Sequence, residues 1–93
     1  MEHDLTLDCL SPHESGRVTR LLTEGAMRRR FLDIGLIEGT LVECLGRSPM
    51  GDPSAYLIRG AVIAIRAVDC KGILIRKTKG EDADEGEQNL QSE

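Results

Sequence analysis

Residues 41–66 read Leu-Val-Glu-Cys-Leu-Gly-Arg-Ser-Pro-Met-Gly-Asp-Pro-Ser-Ala-Tyr-Leu-Ile-Arg-Gly-Ala-Val-Ile-Ala-Ile-Arg, and this stretch decides the fold. Leu41 to Leu45 alternates, with Thr40, Val42 and Cys44 on one face and Leu41, Glu43 and Leu45 on the other, the period of a strand. Ala55–Arg59 and Ala61–Arg66 are two further apolar runs separated by Gly60, which predicts a tight hairpin. Between the first two runs lies Ser48-Pro49-Met50-Gly51-Asp52-Pro53, holding two of the three prolines of the chain. Proline fixes φ and removes a donor, glycine takes positive φ, and aspartate hydrogen-bonds locally. The expectation is a shaped loop between strands, with a partner contact as the sharper reading of that shape.

Working outward from this stretch, Ile73–Arg76 is a closing strand, reached from Arg66 through one helical turn at Ala67–Lys71 that Gly72 ends. On the other side, Gly16–Leu22 alternates basic or polar with apolar residues, which places Val18 inward and Arg17 and Thr19 outward. Leu5–Leu10 is read as a short strand or extended lead-in stopped by Pro12. One helix is expected, about Glu24 to Ile34. Met27, Phe31 and Ile34 stand at i, i+4 and i+7 on one face, Thr23 is placed to cap the start, and Gly35 to end it. Arg29 and Asp33 are spaced to pair on the opposite face.

These elements in 93 residues make one domain. Strands this few and short do not build a two-sheet sandwich. Rolled into a barrel, they let Val18, Val42, Cys44, Ile58, Ile63, Ile65, Ile73 and Ile75 share one core and leave no exposed edge. The fold class predicted is mainly β: a small SH3-like β-barrel of about five strands with one inserted α-helix. The folded domain spans residues 1–78. Residues 79–93 include six acids and a single lysine, Lys79, with almost no apolar content, and are expected to be a disordered acidic tail.

Composition narrows function. Residues 1–80 carry a net charge of +2, and Phe31 and Tyr56 are the only aromatics. That is poor electrostatics for a phosphate backbone and no stacking platform, so nucleic acid is not an expected partner. No apolar run reaches the ~18 residues of a membrane span and Met1-Glu2-His3-Asp4 lacks a basic signal region, so no membrane insertion and a cytoplasmic location are expected. Cys9, Cys44 and Cys70 form no Cys-x-x-Cys pair, and Cys44 and Cys70 read as core residues. His3, Asp4, Asp8, Cys9 and His13 gather near the start, but their spacing matches no standard metal site. Neither histidine lies in a motif with a serine or cysteine, and no phosphate-cradling glycine pattern occurs, so neither catalytic nor cofactor-binding residues are assigned and an enzyme is not expected.

A binding surface remains. Arg28-Arg29-Arg30 is a basic cluster on the helix. Three consecutive residues fan through ~200°, so Arg28 and Arg30 border the buried stripe while Arg29 points outward. Arg47 and Asp52 place charge beside Met50, a flexible apolar side chain on the proline-fixed loop. Arg28, Arg29, Arg47, Met50 and Asp52 are the candidate partner-binding residues.

In order along the chain, Gly16-Arg17-Val18, Arg28-Arg29-Arg30-Phe31-Leu32-Asp33-Ile34-Gly35-Leu36, Glu38-Gly39-Thr40-Leu41-Val42, Ser48–Pro53 and Gly60 with Ile63-Ala64-Ile65-Arg66 resemble the FeoA family of bacterial ferrous iron uptake. Departures are Ile37-Glu38 in place of x-Pro, His13 where glycine is common, and Cys44 and Cys70 where valine and alanine are usual. The resemblance implies an SH3-like fold and a non-enzymatic accessory or regulatory role beside the GTPase-containing ferrous iron permease, whose cytosolic region is the implied partner, with the small protein a monomer or weak homo-oligomer. It also carries a family label of transition-metal binding, Fe2+ in this setting, for which the sequence shows no ligand set. A runner-up follows from the same domain type: an interaction module like the C-terminal domain of iron-dependent DtxR-like repressors.

Overall fold

The computed structural model describes residues 4–78; the expected acidic tail at 79–93 and His3 lie outside them. Six strands form one antiparallel sheet: β1 (Leu5–Thr6), β2 (Ser15–Leu21), β3 (Leu41–Arg47), β4 (Ser54–Ile58), β5 (Ala61–Ile65) and β6 (Ile73–Lys77), in the order β1-β6-β2-β3-β4-β5. Helix α1 (Gly25–Asp33) is inserted between β2 and β3, and a short helix, α2 (Ala67–Cys70), between β5 and β6. This is the mainly β, SH3-like architecture the sequence predicts.

The register follows the pleat. Val42 pairs with Ile58, Cys44 with Tyr56, and Tyr56 with Ile63, so alternate residues of β3, β4 and β5 face one core. Val18, Val42, Cys44, Ile58, Ile65, Ile73 and Ile75 are buried there as expected, while Ile63 is half-buried against the cluster. Tyr56, Leu7, Leu10 and Leu36 complete the interior. Two register shifts, between Val18 and Arg20 on β2 and between Cys44 and Gly46 on β3, curl the sheet. The hairpin forms at Arg59–Gly60, both with positive φ (51° and 86°), the turn whose twist matches its strands. Gly16 sits where β2 meets β6; a Cβ there would lie 2.8 Å from Ile75 Cδ1.

Three expectations change. The sheet is not closed into a barrel, because β1 and β5 occupy its two edges and do not pair. The reason is the chain after Thr6. It leaves the extended path for a 3-10 turn at Leu7–Cys9, which buries both Leu7 and Leu10, three residues apart. That turn packs on α2, and Lys71 Nζ lies 2.8 Å from Asp8 Oδ2, so side chains rather than a strand ladder seal that end. Thr23 does not cap α1; the position belongs to Glu24, which makes no side-chain cap bond. Arg29 and Asp33 make no ion pair among the described residues. Gly35 does end the helix, with φ +104°. Its bare Cα also accepts the Arg59 side chain, which would overlap any Cβ.

Candidate functional site

The loop at 48–53 closes on itself. Ser48 N donates to the Pro53 carbonyl (2.9 Å) and Gly51 N to the Ser48 carbonyl (2.8 Å), with Gly51 at φ +90°. The Asp52–Pro53 peptide is cis. Arg47 Nη1 reaches Ser54 Oγ at 3.4 Å across the base of the loop. At the tip, Met50 is 90% exposed, an apolar side chain presented to solvent by a backbone that bonds to itself.

Asp52 has a structural partner that the sequence did not reveal. Its Oδ1 accepts the backbone N–H of Ala67 at 2.9 Å, the first residue of α2, where a helix leaves donors unsatisfied. The cap comes from 15 residues away, and local capping rules look only at the preceding residue, Arg66. Arg28 likewise ties elements together, donating to the carbonyls of Leu21 (3.1 Å) and Thr23 (3.4 Å). Arg29 and Arg30 have no hydrogen-bond or ion-pair partner among the described residues. Of the five candidate residues, Met50 and Arg29 are held out to solvent, while Arg28, Arg47 and Asp52 also brace the fold.

Asp52 anchors the loop to Ala67. A groove lined by Met27, Arg30, Phe31 and Ile34 of α1 and by Ile63–Arg66 and Asp69 runs along the same segment. Val62 (65% exposed) and Val68 (68%) lie on the two elements that border it. A second groove, lined by Arg17, Leu41, Glu43, Leu57 and Arg59, lies over β2–β4.

The buried polar chemistry is inert. Tyr56 Oη lies 3.6 Å from Cys70 Sγ. Burial pushes the Tyr56 hydroxyl well above its ordinary value, and burial pushes the Cys70 thiol up to about 11, so neither ionises near neutrality and Cys70 is no nucleophile. Asp8 is different. Burial opposes its ionisation, but hydrogen bonds from Lys71 and Thr6 outweigh that and hold its carboxyl below the ordinary value. With its oxygens taken by Lys71 and Thr6, Asp8 does not converge with Cys9 and His13 on a metal. Among the described residues no group of three or more histidine, cysteine, aspartate or glutamate side chains is placed to hold one, so those residues do not fit the metal label that the resemblance implies. Among the same residues no helix is long and apolar enough to cross a membrane.

Comparison with known proteins agrees with this architecture. No curated protein matches the sequence. The FeoA-like protein of Clostridium acetobutylicum is 29% identical with a TM-score of 0.76, over 85% of this chain and 92% of that one. The FeoA of Stenotrophomonas maltophilia, a procaryotic SH3 domain protein solved with zinc, is 24% identical with a TM-score of 0.68, over 76% of this chain and 88% of that one. A manganese-dependent transcriptional repressor shares the fold at 19% identity with a TM-score of 0.73, over 84% of this chain and 38% of the repressor. The FeoA domain as a family matches residues 5–77, which span every strand and both helices: the chain belongs to the FeoA family.

Proposed function

We propose that this protein is a non-enzymatic accessory of ferrous iron transport, acting in the cytoplasm, and that it binds the cytosolic, GTPase-containing region of the ferrous iron permease. Family membership supports the transport role, and the Stenotrophomonas maltophilia relative has been put forward as a ferrous iron transport activating factor. The observation that carries the binding surface is Met50, 90% exposed at the tip of a self-bonded loop. Arg29 supplies unpaired charge on α1, Arg28 and Arg47 supply partly engaged charge, and Asp52 sets the loop against α2. Exposed charge of this kind speeds and steers encounter more than it adds affinity.

The test is a pull-down and a binding titration against the cytosolic domain of a ferrous iron permease from the same organism. Met50→Ala with Arg29→Glu keeps the fold, weakens binding and lowers ferrous uptake in cells, with the arginine part of the loss in association rate and sensitive to salt. A folded double variant with normal binding and uptake removes this surface and moves attention to Arg17 and Arg20.

The repressor-like reading rests on fold likeness alone. The described residues hold only the nine-residue α1 and four-residue α2 as α-helices, and these do not make a helix-turn-helix. Co-purification with a repressor in place of the permease would favour it.

A further inference from the structure

We infer that β5 is a docking edge for an extended peptide segment of a protein partner, which adds as a seventh strand in the groove between β5 and α1. The strand pairs with β4 on one side only. The two-residue hairpin makes Ile58 and Ala61 the closing pair, and in an antiparallel ladder hydrogen-bonded pairs alternate with non-bonded ones. Ala61, Ile63 and Ile65 therefore spend their backbone groups on β4, while Val62 and Ala64 aim theirs away from the sheet. Among the described residues neither donates to any turn or loop.

Open edges invite pairing, and proteins blunt them with charge, proline, bulges or a covering element. β5 reads Ala-Val-Ile-Ala-Ile and carries none of the first three; the two register shifts fall on β2 and β3. Among the described residues no further strand pairs with this edge. The groove beside it has Met27, Phe31 and Ile34 of α1 as its far wall and Ile63 and Ile65 as its near one. A strand bonded to Val62 and Ala64 would set alternate side chains against that wall, the arrangement by which sheet edges capture peptides.

The rim selects the sign of the segment. Arg66 pairs with Asp69 (3.6 Å), whereas Arg30 has no partner among the described residues. The unmatched charge lining the groove is thus positive, and the fitting segment is extended, apolar at alternate positions and acidic between them. Neither Met50 nor Arg29 lines this groove, so the peptide test is read independently of the reading above.

The probe is an acetylated, amidated peptide, Gly-Asp-Val-Glu-Val-Asp-Val-Gly, titrated into the full 15N-labelled chain. Binding should shift the Val62 and Ala64 amides and slow their hydrogen exchange at least tenfold. Ala64→Pro removes an outward N–H without touching the β4 ladder, as edge strands tolerate, and should weaken binding at least tenfold with the fold kept. If that variant fails to fold, the same loss is expected when the peptide is N-methylated on its bonding edge, which leaves the protein unchanged. Replacing the peptide's acids by lysines should also weaken binding.

Four results overturn the inference: no change at Val62 and Ala64 at millimolar peptide; equal binding by the N-methylated peptide; a concentration-dependent dimer of the free chain that Ala64→Pro abolishes, which makes a second copy the occupant; or protection of Val62 and Ala64 in the free chain that is lost on removing residues 79–93, which makes the chain's own acids the occupant.

Discussion

The two edges of the sheet are built in opposite ways. β1 contributes two residues, and the 3-10 turn after it buries Leu7 and Leu10, meets α2 and closes with the Asp8–Lys71 pair. β5 is longer and carries no charge, and beside it stands a helix with a single buried residue, Phe31. One edge is sealed by many small contacts; the other is held by one ring and left accessible. Regions with few buried contacts open at low cost, so the accessible edge is where binding can proceed without dismantling the core.

The contrast can be broken by experiment. Phe31→Ala tests the single ring. Truncation of a buried phenylalanine costs about 3–5 kcal/mol, comparable to the whole stability of a small domain, so chemical denaturation should find the variant largely unfolded. An unchanged midpoint would mean that α1 is not held by Phe31 and that the open side is tighter than it looks.

Between the two edges, at the turn before β2, His13 occupies φ +76° and its backbone N–H donates to Cys44 O on β3. A left-handed conformation costs a side-chain-bearing residue about 1–2 kcal/mol, partly offset by the entropy glycine loses on folding. His13→Gly is therefore expected to raise stability by about 0.5–1 kcal/mol, read as a shifted denaturant midpoint at constant slope. A fall would show that the imidazole contributes packing there.

Asp8 sharpens the sealed β1 edge through pH. Its carboxyl lies below the ordinary 3.8 in the folded state, so its contribution is complete above that value and is lost as pH falls through the lower, folded one. Asp8→Asn should cost about 0.5–1 kcal/mol at pH 7, since Lys71 is mostly exposed. The gap from wild type should close in strong acid. A gap independent of pH would assign the loss to Thr6 and packing instead. Met50→Ala is the smallest effect, within about 0.5 kcal/mol in stability as for other surface changes, and a larger shift would make the loop part of the core.

Local signals carried most of the architecture. Alternation placed β3 to β6, and Gly60 marked the hairpin. The lead-in holds as a strand only through Leu5–Thr6: Leu5 and Leu7 suggest a period of two, while Leu7 and Leu10, both buried, keep a period of three. The departure at His13, where the family resemblance implies glycine, marks a backbone with positive φ, legible once the residue type is weighed against conformation. Closure was beyond local reading, because it depends on Leu7–Cys9 meeting α2 some sixty residues later. The site was half legible. Exposure of Met50 follows from a polar, proline-fixed loop, but the bond from Ala67 to Asp52 is a tertiary fact, and the free edge of β5 emerges only from the strand order.

The position of β6 has a consequence for how the molecule comes into being. It is the last strand among the described residues, yet it lies between β1 and β2, the first two. During synthesis these early strands wait without a shared neighbour until Ile73–Lys77 arrives, so the sheet cannot be assembled from its start in the order of translation. Completion is a single late insertion that zips both flanks together. Folding should show the millisecond-to-second rates of topologies dominated by distant pairings, and a nascent chain arrested before residue 73 should be a target for proteases.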